Sequence, residues 1–452
     1  MMTRTRKIAL FAVGGLLALL ILATAALVLF VDANDLKPRL EAAASDALGM
    51  EVRFGGRLGI GLFPGFHITV EDGLIRNRGT DVVSAKESTL GIELLPLLRK
   101  ELRIVKLGMK RPRISIEKDR DGKFNFETSE EEAGKKSAGE TKGARFSLNV
   151  TNISLTGGTL LYRDRNTGGE LEANDFTLDV SRLRLPGEES QGFRKDLSFA
   201  AEFACRELRK GRLAVWNLKF RAEGKDGIFA MRPVTAARLV YSGTGGMVTA
   251  DRIVLDTGNL SLAGDGKTDL LRRISFTGTA GIGELRARGL VATDLKSAVA
   301  GKDGIFDLHP LTLRLFEGKG AGSFRADRSG AVPRYLVRYS LSGFRIGEAL
   351  KTMSPKKAAE GTMDLSATLT MRGTTTDEMK RTADGEVSLR GRDLTITGVD
   401  LDRVFSRYEA SQNFNLIDVG AFFIAGPVAP LVTKGYNFAS LFRGSGGSSR
   451  IR

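Results

Sequence analysis

Apolar and polar residues alternate with a period of two along much of this chain. Met363, Leu365, Ala367, Leu369 and Met371 are separated by polar residues without interruption. Because successive side chains of a strand point to opposite faces of a sheet, this pattern predicts strands with one apolar and one solvated face. The same alternation recurs at Ile114 and Ile116; Phe146, Leu148 and Val150; Leu311, Leu313 and Leu315; and Tyr335, Val337, Tyr339 and Leu341.

The pairing of these strands follows from what lies between them. No helical segments of crossover length alternate with them, which predicts antiparallel neighbours. Gly contributes 54 of 452 residues and Pro only 11, a balance typical of many tight turns. The predicted fold class is therefore mostly β, an elongated and mostly antiparallel sheet with a few short helices. Alternation alone leaves open whether the apolar face is buried in a closed sandwich or forms an open groove.

One short helix is predicted ahead of the first strands. Apolar residues recur every four positions from Leu36 to Leu48, which places one apolar stripe against a core. Asp35 can cap the start of this helix and Gly49 can end it. From Met50 onward the period changes to two.

An uncharged apolar stretch occupies residues 8–31. At about 1.5 Å per residue, these 24 residues reach about 36 Å as a helix, enough to cross a bilayer core of about 30 Å. The stretch predicts a transmembrane anchor. A cleaved signal peptide is the alternative, because residues 23–25 resemble a cleavage site, but the apolar run continues past that site. The anchor positions are represented by Ile8, Leu16, Leu20, Leu27 and Val31.

The charges flanking this stretch predict its orientation. Basic residues dominate positions 1–7, and Asp32 and Asp35 follow the stretch. By the positive-inside rule the N-terminus is cytoplasmic and the bulk of the chain lies outside the cytoplasm.

The remaining chain divides by composition into four segments. A polar run at 128–144, TSEEEAGKKSAGETKGA, has no apolar periodicity and is interpreted as a linker or loop. It separates a β region with a short helix at 32–127 from a longer β region at 145–443. Residues 444–452 form a Gly/Ser-rich tail.

An internal repeat lies within the longer β region. The sequence GKDGIF occurs at 224–229 and again at 301–306, and each copy has a Pro four residues after its Phe. Asp-Gly before an apolar run is a turn signal, so chance recurrence of turn chemistry is one explanation. Six identical residues followed by Pro favour duplication of a β unit.

Chemical motifs are scarce. Cys205 is the single cysteine, and His67 and His309 are the only histidines, so neither a zinc site nor a nucleophile with a histidine base is expected. The sequence predicts no enzyme activity, no cofactor and no metal. The net charge of +15 attracts anionic surfaces such as phospholipid, although solvated strand faces explain such a charge equally well.

A family resemblance is carried by the order of four segments. The segment after the apolar stretch resembles the opening of AsmA-like proteins and reads NDLKPRLEAAASDALGMEVRFGGRLGIGLFPGFHITVEDGLIRN. A short leucine-rich helix, a strand, a Pro and DG-aromatic-Asn follow in LLPLLRKELRIVKLGMKRPRISIEKDRDGKFNF. The C-terminal repeat of the family is similar to GIFDLHPLTLRLFEGKGAGSFRAD and SLRGRDLTITGVDLDRVFSRYEASQNFNLIDVGAFFIAGP. The likeness covers both ends of the chain well and the middle only by pattern.

This resemblance implies a bacterial inner-membrane protein with its β structure in the periplasm. It implies a sheet folded into a groove whose apolar lining, including the alternating residues named above, holds phospholipid or another envelope lipid. The implied function is lipid binding or transfer in support of the outer membrane, with an outer-membrane or periplasmic partner protein and no nucleic acid. An assembly factor for outer-membrane β-barrel proteins is the alternative. Relatives continue beyond the Gly/Ser tail, so a truncated C-terminus is also an expectation.

Overall fold

The computed structural model describes residues 37–61, 65–93, 101–127, 145–184, 197–225, 228–243, 246–262, 270–287, 289–352, 359–397 and 448–451. The chain divides into two compact units, unit 1 (Met1–Leu183) and unit 2 (Arg184–Arg452). Both are built mainly from antiparallel strands with few helices, which confirms the mostly β prediction. The predicted anchor at 8–31 lies outside the described residues, and none of the helices within them is long and apolar enough to cross a membrane.

Unit 1 contains one helix and eight strands in its described part. They are α1 (Lys37–Leu48), β1 (Glu51–Phe54), β2 (Leu58–Gly61), β3 (His67–Asn77), β4 (Thr80–Ile92), β5 (Glu101–Lys110), β6 (Arg113–Lys118), β7 (Arg145–Asp164) and β8 (Gly169–Arg184).

The predicted short helix is confirmed as α1, and it covers one edge of the sheet. Gly49 follows its last residue with a positive φ of 67°, the conformation that glycine adopts without steric cost. Side chains of α1 then accept hydrogen bonds from β1: Ser45 Oγ from the Val52 N–H (2.9 Å) and Glu41 Oε1 from the Phe54 N–H (2.6 Å). These bonds satisfy backbone donors that an edge strand would otherwise expose.

Strand β7 departs from the predicted antiparallel pattern. It pairs in parallel with β5 and with β6, and in antiparallel fashion with β8. Parallel neighbours need a long connection, and the chain between β6 and β7 contains the polar segment 128–144, which lies outside the described residues. The segment interpreted as a linker therefore joins strands that pair within unit 1. A short helix was expected within LLPLLRKEL. The last two residues of that segment, 101 and 102, are instead the first residues of β5.

The DG-aromatic-Asn motif has a structural role in unit 1. Asn125 Nδ2 donates to the Ser115 carbonyl at 2.8 Å, and its Oδ1 accepts from the Glu117 N–H at 3.0 Å. Buried Asn77 in turn donates to the carbonyls of Asn125 and Glu127. The motif thus fastens a turn against β6 by satisfying buried polar groups.

Unit 2 contains twelve strands and three short helices in its described part. They are β9 (Ser198–Lys210), β10 (Leu213–Lys225), β11 (Ile228–Gly243), β12 (Gly246–Leu262), α2 (Leu270–Arg273), β13 (Ile274–Ala287), β14 (Leu290–Lys302), β15 (Ile305–Leu315), β16 (Gly318–Asp327), β17 (Arg334–Arg345), α3 (Ile346–Lys351), β18 (Ala359–Arg372), α4 (Thr376–Arg381), β19 (Asp384–Thr397) and β20 (Ser448–Ile451).

These strands pair in chain order, each antiparallel to the next, from β9 to β20. Register shifts interrupt several ladders, and polar residues in the left-handed region lie beside some of them, such as Asn259 (φ 52°) in β12 and Asp294 (φ 54°) in β14. Asn and Asp tolerate this conformation better than most residues. Each such bulge adds one residue to one strand. Apolar residues before and after the bulge therefore lie on the same face although an odd number of positions separates them.

Candidate functional site

Strand register in unit 2 aligns apolar residues into rows that cross nine strands. Directly opposite residues of paired strands lie on the same face of a sheet. One row runs from β11 to β19 through Val234, Leu255, Ala280, Ser297, Leu311, Gly322, Tyr339, Ala367 and Val387. A parallel row runs through Met231, Thr257, Gly278, Val299, Leu308, Phe324, Val337, Leu369 and Gly385.

Two further rows flank these. On one side lie Ala236, Ile253, Ile282 and Leu295, with Leu313, Gly320, Leu341, Leu365 and Leu389 continuing beyond a register shift. On the other side lie Phe229 and Leu260, then Phe276, Gly301, Phe306, Ala326, Tyr335 and Met371. The four rows together are named the apolar face. Two of its positions, Ser297 and Thr257, carry hydroxyl side chains instead of apolar ones.

The exposure of the apolar face is unusual for a protein core. From β11 to β16, its fully buried side chains are mainly small, such as Ala236 and Ala326, whereas Met231, Leu255 and Leu295 remain partly exposed. In a dry core the large apolar side chains are the ones removed from water, because they contribute most to the hydrophobic effect. The large side chains of this face are therefore incompletely covered.

The apolar face is closed at its C-terminal end. Leu341 and Phe344 have no exposed surface and Leu365 has 2%. Helix α3 supplies the cover, because Ile346, Ala349 and Leu350 are buried against these residues. This set of six residues, named the end cluster, is a packed core of the ordinary kind.

Tyr339 places a hydroxyl group among apolar neighbours beside the end cluster. The hydroxyl is buried without a hydrogen-bond partner, and burial raises the pKa of Tyr339 to about 12. Its ring packs over Gly320, where the hydroxyl occupies the position that a Cβ atom would need, next to Leu313. Gly320 is thus required for the close approach of this ring.

We expect Tyr339→Phe to leave the fold intact and to raise its stability by up to about 1–2 kcal/mol, because the buried hydroxyl loses its bonds to water on folding without replacing them. The melting temperature of the full chain, followed by circular dichroism, measures this. Tyr335→Phe on the same strand is the control, since the Tyr335 hydroxyl is not among the buried unpaired groups of the described residues. A clear loss of stability in Tyr339→Phe alone would mean that its hydroxyl has a partner in solution.

The GKDGIF repeat places glycine between aromatic rings at one edge of the apolar face. A Cβ on Gly224 would lie 2.6 Å from the Phe199 ring and 2.9 Å from the Phe229 ring, and these two rings are 6.1 Å apart. A Cβ on Gly301 would likewise meet the Phe276 ring, and Phe306 lies directly opposite Gly301 in the ladder with its ring 6.3 Å from that of Phe276. Both copies thus lie at equivalent places in the ladder, which supports duplication.

The prolines of the repeat also have equivalent places. Pro233 in β11 and Pro310 in β15 both fall within register shifts of their ladders. Proline cannot donate a backbone hydrogen bond, and inside a sheet it is confined mainly to bulges and edges. The repeat therefore places a proline bulge at the same distance along each copy.

Cross-strand ion pairs also join the strands of unit 2. Arg238 on β11 binds Asp251 on β12 through two hydrogen bonds, of 2.7 and 3.2 Å. The hydrogen bond from Arg238 holds the pKa of Asp251 below its ordinary value, and Arg286 on β13 lies 3.7 Å from the same carboxylate. Opposite charges across strands contribute to sheet stability.

The structure brings most of the predicted lining residues together in unit 2. The residues predicted on β15, β17 and β18 share one face of the sheet. Leu341 and Leu365 belong to the closed end cluster, Leu315 and Met363 pack against it, and the others are partly exposed. Ile114, Ile116 and Val150 lie half-buried in unit 1. Phe146 and Leu148 belong to β7, but their side chains are not among those that the structure describes. A lining role for all of these remains a prediction.

Sequence reasoning missed the part of the apolar face on β11 to β14. Strict alternation fails there: in β14, Leu295, Ser297 and Val299 face the same side, and the bulge at Asp294 shifts the pattern before them. Apolar residues spaced by three positions around a single Asp or Asn within a strand would have predicted these bulges from the sequence.

Residues that could bind a metal ion are not assembled in the described part of the chain. Within it, no group of three or more His, Cys, Asp or Glu could hold a metal ion. Cys205 is buried, and its thiol donates to the Glu207 carbonyl at 3.2 Å. The expectation that the protein is not an enzyme remains a prediction.

Comparison with known proteins identifies a family over most of the chain. The family model described as the AsmA family matches residues 2–237 and 248–423. No curated protein and no solved structure matches the chain.

Proposed function

This chain belongs to the AsmA family, and on that basis we propose that it binds or transfers lipid in the bacterial envelope in support of the outer membrane. The observation that carries the proposal is the incompletely covered apolar face of unit 2. Acyl chains would lie along its four rows and remove the half-exposed large side chains from water.

The energetics of the face favour an apolar ligand. Apolar surface removed from water stabilises a complex by about 25 cal/mol per Å². The partly exposed side chains of Met231, Leu255 and Leu295 retain such surface in the unliganded fold. A row that crosses nine strands, at about 4.8 Å per strand, offers about 38 Å of mostly apolar contact, longer than an extended acyl chain.

The cellular setting is part of the same proposal. Residues 8–31 would anchor the chain in the inner membrane with its N-terminus in the cytoplasm and its bulk in the periplasm. The protein would act without catalysis or cofactor, on phospholipid or another envelope lipid, together with a periplasmic or outer-membrane partner.

An assembly role for outer-membrane β-barrel proteins is the second candidate. It would use an open sheet edge, and in the described residues β9 pairs with β10 on one side only. That role predicts a dry, filled interior, and the half-exposed apolar face favours lipid instead.

We expect Val299→Asp to reduce co-purifying lipid strongly while Val291→Asp has little effect. Both residues lie on β14, but Val299 is a half-buried member of the apolar face and Val291 is exposed outside its rows, with 45% exposure. An aspartate among acyl chains is desolvated without a partner and costs several kcal/mol. Mass spectrometry of lipids extracted from the purified full chain, with melting temperatures of all three proteins, measures this.

The parent protein provides a test that does not depend on any variant. Lipid bound to the parent, and lost in Val299→Asp with the fold preserved, supports the proposal. If the parent protein purified from bacterial envelopes carries no lipid, the proposal is overturned, and the assembly role becomes the better explanation.

A further inference from the structure

Unit 1 has a depression of about 500 Å³ with an excess of positive charge. Strands β3, β4, β6 and β7 and the turn between β5 and β6 contribute to its lining. Its charged side chains are Lys86, Arg111, Arg113 and Asp72, so the depression has three cations and a single carboxylate among its lining residues. All four residues are exposed, so a ligand can reach them.

Strand register explains why these residues meet. Ser84 of β4 lies directly opposite Arg113 of β6, which lies directly opposite Thr159 of β7. Lys86 lies two positions from Ser84 on the same face of β4, and Arg111 lies two positions before Arg113 in the turn that precedes β6. The row therefore places the hydroxyl groups of Ser84 and Thr159 on either side of Arg113. Lys86 and Arg111 line the same depression.

Arg111 is held in place by the backbone. It occupies the turn between β5 and β6, and its N–H donates to the Thr156 carbonyl at 2.7 Å. A Cβ on Gly157 would lie 3.8 Å from Arg111 Cγ, so the aliphatic part of the arginine packs along this glycine. Packing of the stem directs the guanidinium without neutralising its charge.

Several basic residues of unit 1 have an anionic partner, whereas the three cations of the depression have none among the described residues. Lys110 forms an ion pair with Glu87 at 2.8 Å, and Arg76 forms one with Asp81 at 2.8 Å. Within the described residues, Lys86, Arg111 and Arg113 form no ion pair, although Asp72 lines the same depression. Three unneutralised cations with two hydroxyl donors match the needs of a phosphate group, which accepts several charge-assisted hydrogen bonds.

We infer that the depression lined by Lys86, Arg111 and Arg113 is a phosphate-binding site, with an anionic phospholipid headgroup or free phosphate as its ligand. Ser84 and Thr159 donate hydroxyl hydrogen bonds to the same oxygens. The site is separate from the apolar face of unit 2, so it stands or falls independently of the lipid-transfer proposal.

The test uses the purified full chain in non-ionic detergent micelles at low salt. Isothermal titration calorimetry measures the binding of dihexanoyl phosphatidic acid, of inorganic phosphate and of dihexanoylglycerol, which lacks the phosphate. The triple variant Lys86→Gln, Arg111→Gln, Arg113→Gln removes the three cations. The control triple Arg57→Gln, Arg120→Gln, Lys123→Gln removes the same charge from exposed positions of unit 1 outside the depression.

We expect the first triple to weaken phosphatidic acid binding at least about tenfold and the control triple less than about twofold. Dihexanoylglycerol binding should be unchanged in both, which separates this site from the apolar face. Phosphatidic acid binding tighter than inorganic phosphate assigns the site to a headgroup, and equal binding assigns it to a soluble phosphate.

Two results would overturn the inference. Equal losses in the two triples, with equal melting temperatures, would mean that only the overall charge of the protein attracts the ligand. A parent protein that binds phosphatidic acid no more tightly than dihexanoylglycerol would mean that the depression does not recognise phosphate at all.

Discussion

Leu365→Asp should collapse the fold of unit 2 around the end cluster. Leu365 is 2% exposed and packs with Leu341, Phe344 and the buried face of α3. An unpaired carboxylate there costs several kcal/mol, a large part of the stability of a domain, which is about 5–15 kcal/mol in total. The melting temperature of the full chain, followed by circular dichroism, is the measurement, and we expect the transition of unit 2 to be lost or strongly lowered.

Two neighbours on the same strand give this prediction its controls. Ser366 is exposed on the opposite face, so Ser366→Asp should change the stability by no more than about 0.5 kcal/mol. Leu369 lies on the apolar face but is half-exposed, so Leu369→Asp should keep its carboxylate partly solvated and cost less than Leu365→Asp. Equal effects of the two leucine substitutions would contradict the distinction between a closed end cluster and an incompletely covered face.

Gly278→Ala should destabilise unit 2 severely, whereas Gly281→Ala on the same strand should not. A Cβ on Gly278 would fall well inside van der Waals contact with the backbone oxygen of Asp256 and within 3.1 Å of the Thr257 Cα. These atoms belong to the backbone of β12, which cannot move aside like a side chain. Overpacking of this kind typically costs about 1–3 kcal/mol, and a backbone clash lies at the upper end of that range or above it.

Gly281 provides the matched control for the same substitution. A Cβ there would lie 3.8 Å from the Leu295 carbonyl oxygen, an ordinary contact. Alanine restricts the unfolded chain more than glycine does, so Gly281→Ala should gain about 0.4–1 kcal/mol. Chemical denaturation of the two variants should therefore move their midpoints in opposite directions, and a shared direction would show that the tight register between β12 and β13 does not persist in solution.

Local patterns were enough to predict the strands with uninterrupted alternation. Met363 to Met371 all lie in β18, and the leucines of β15 lie on the predicted common face. Helix α1 was likewise predictable, because its apolar period, its first-turn proline and its terminal glycine all act within a few residues. These are short-range signals, and each one determines its own element.

Features that depend on distant segments could not be read in this way. The parallel pairing of β7 with β5 and β6 depends on contacts formed across a long connection. The end cluster depends on α3, whose six residues carry too little periodicity to be recognised as a cover. The phosphate site depends on register among three strands, since Ser84, Arg113 and Thr159 have no sequence relationship to one another.

The duplicated glycine–aromatic hairpins have a consequence for how such a sheet grows. Phe199, Gly224 and Phe229 recur as Phe276, Gly301 and Phe306, so β9–β12 and β13–β16 carry one motif at equivalent places, as two copies of a four-strand block would. In the described residues each strand of these blocks pairs with the strands before and after it in the chain, as in linear repeat architectures. Inserting one more copy would lengthen the apolar face by about 19 Å without altering the chemistry of the rest. The span of the sheet is thus a property that evolution, or a protein engineer, can set by counting blocks.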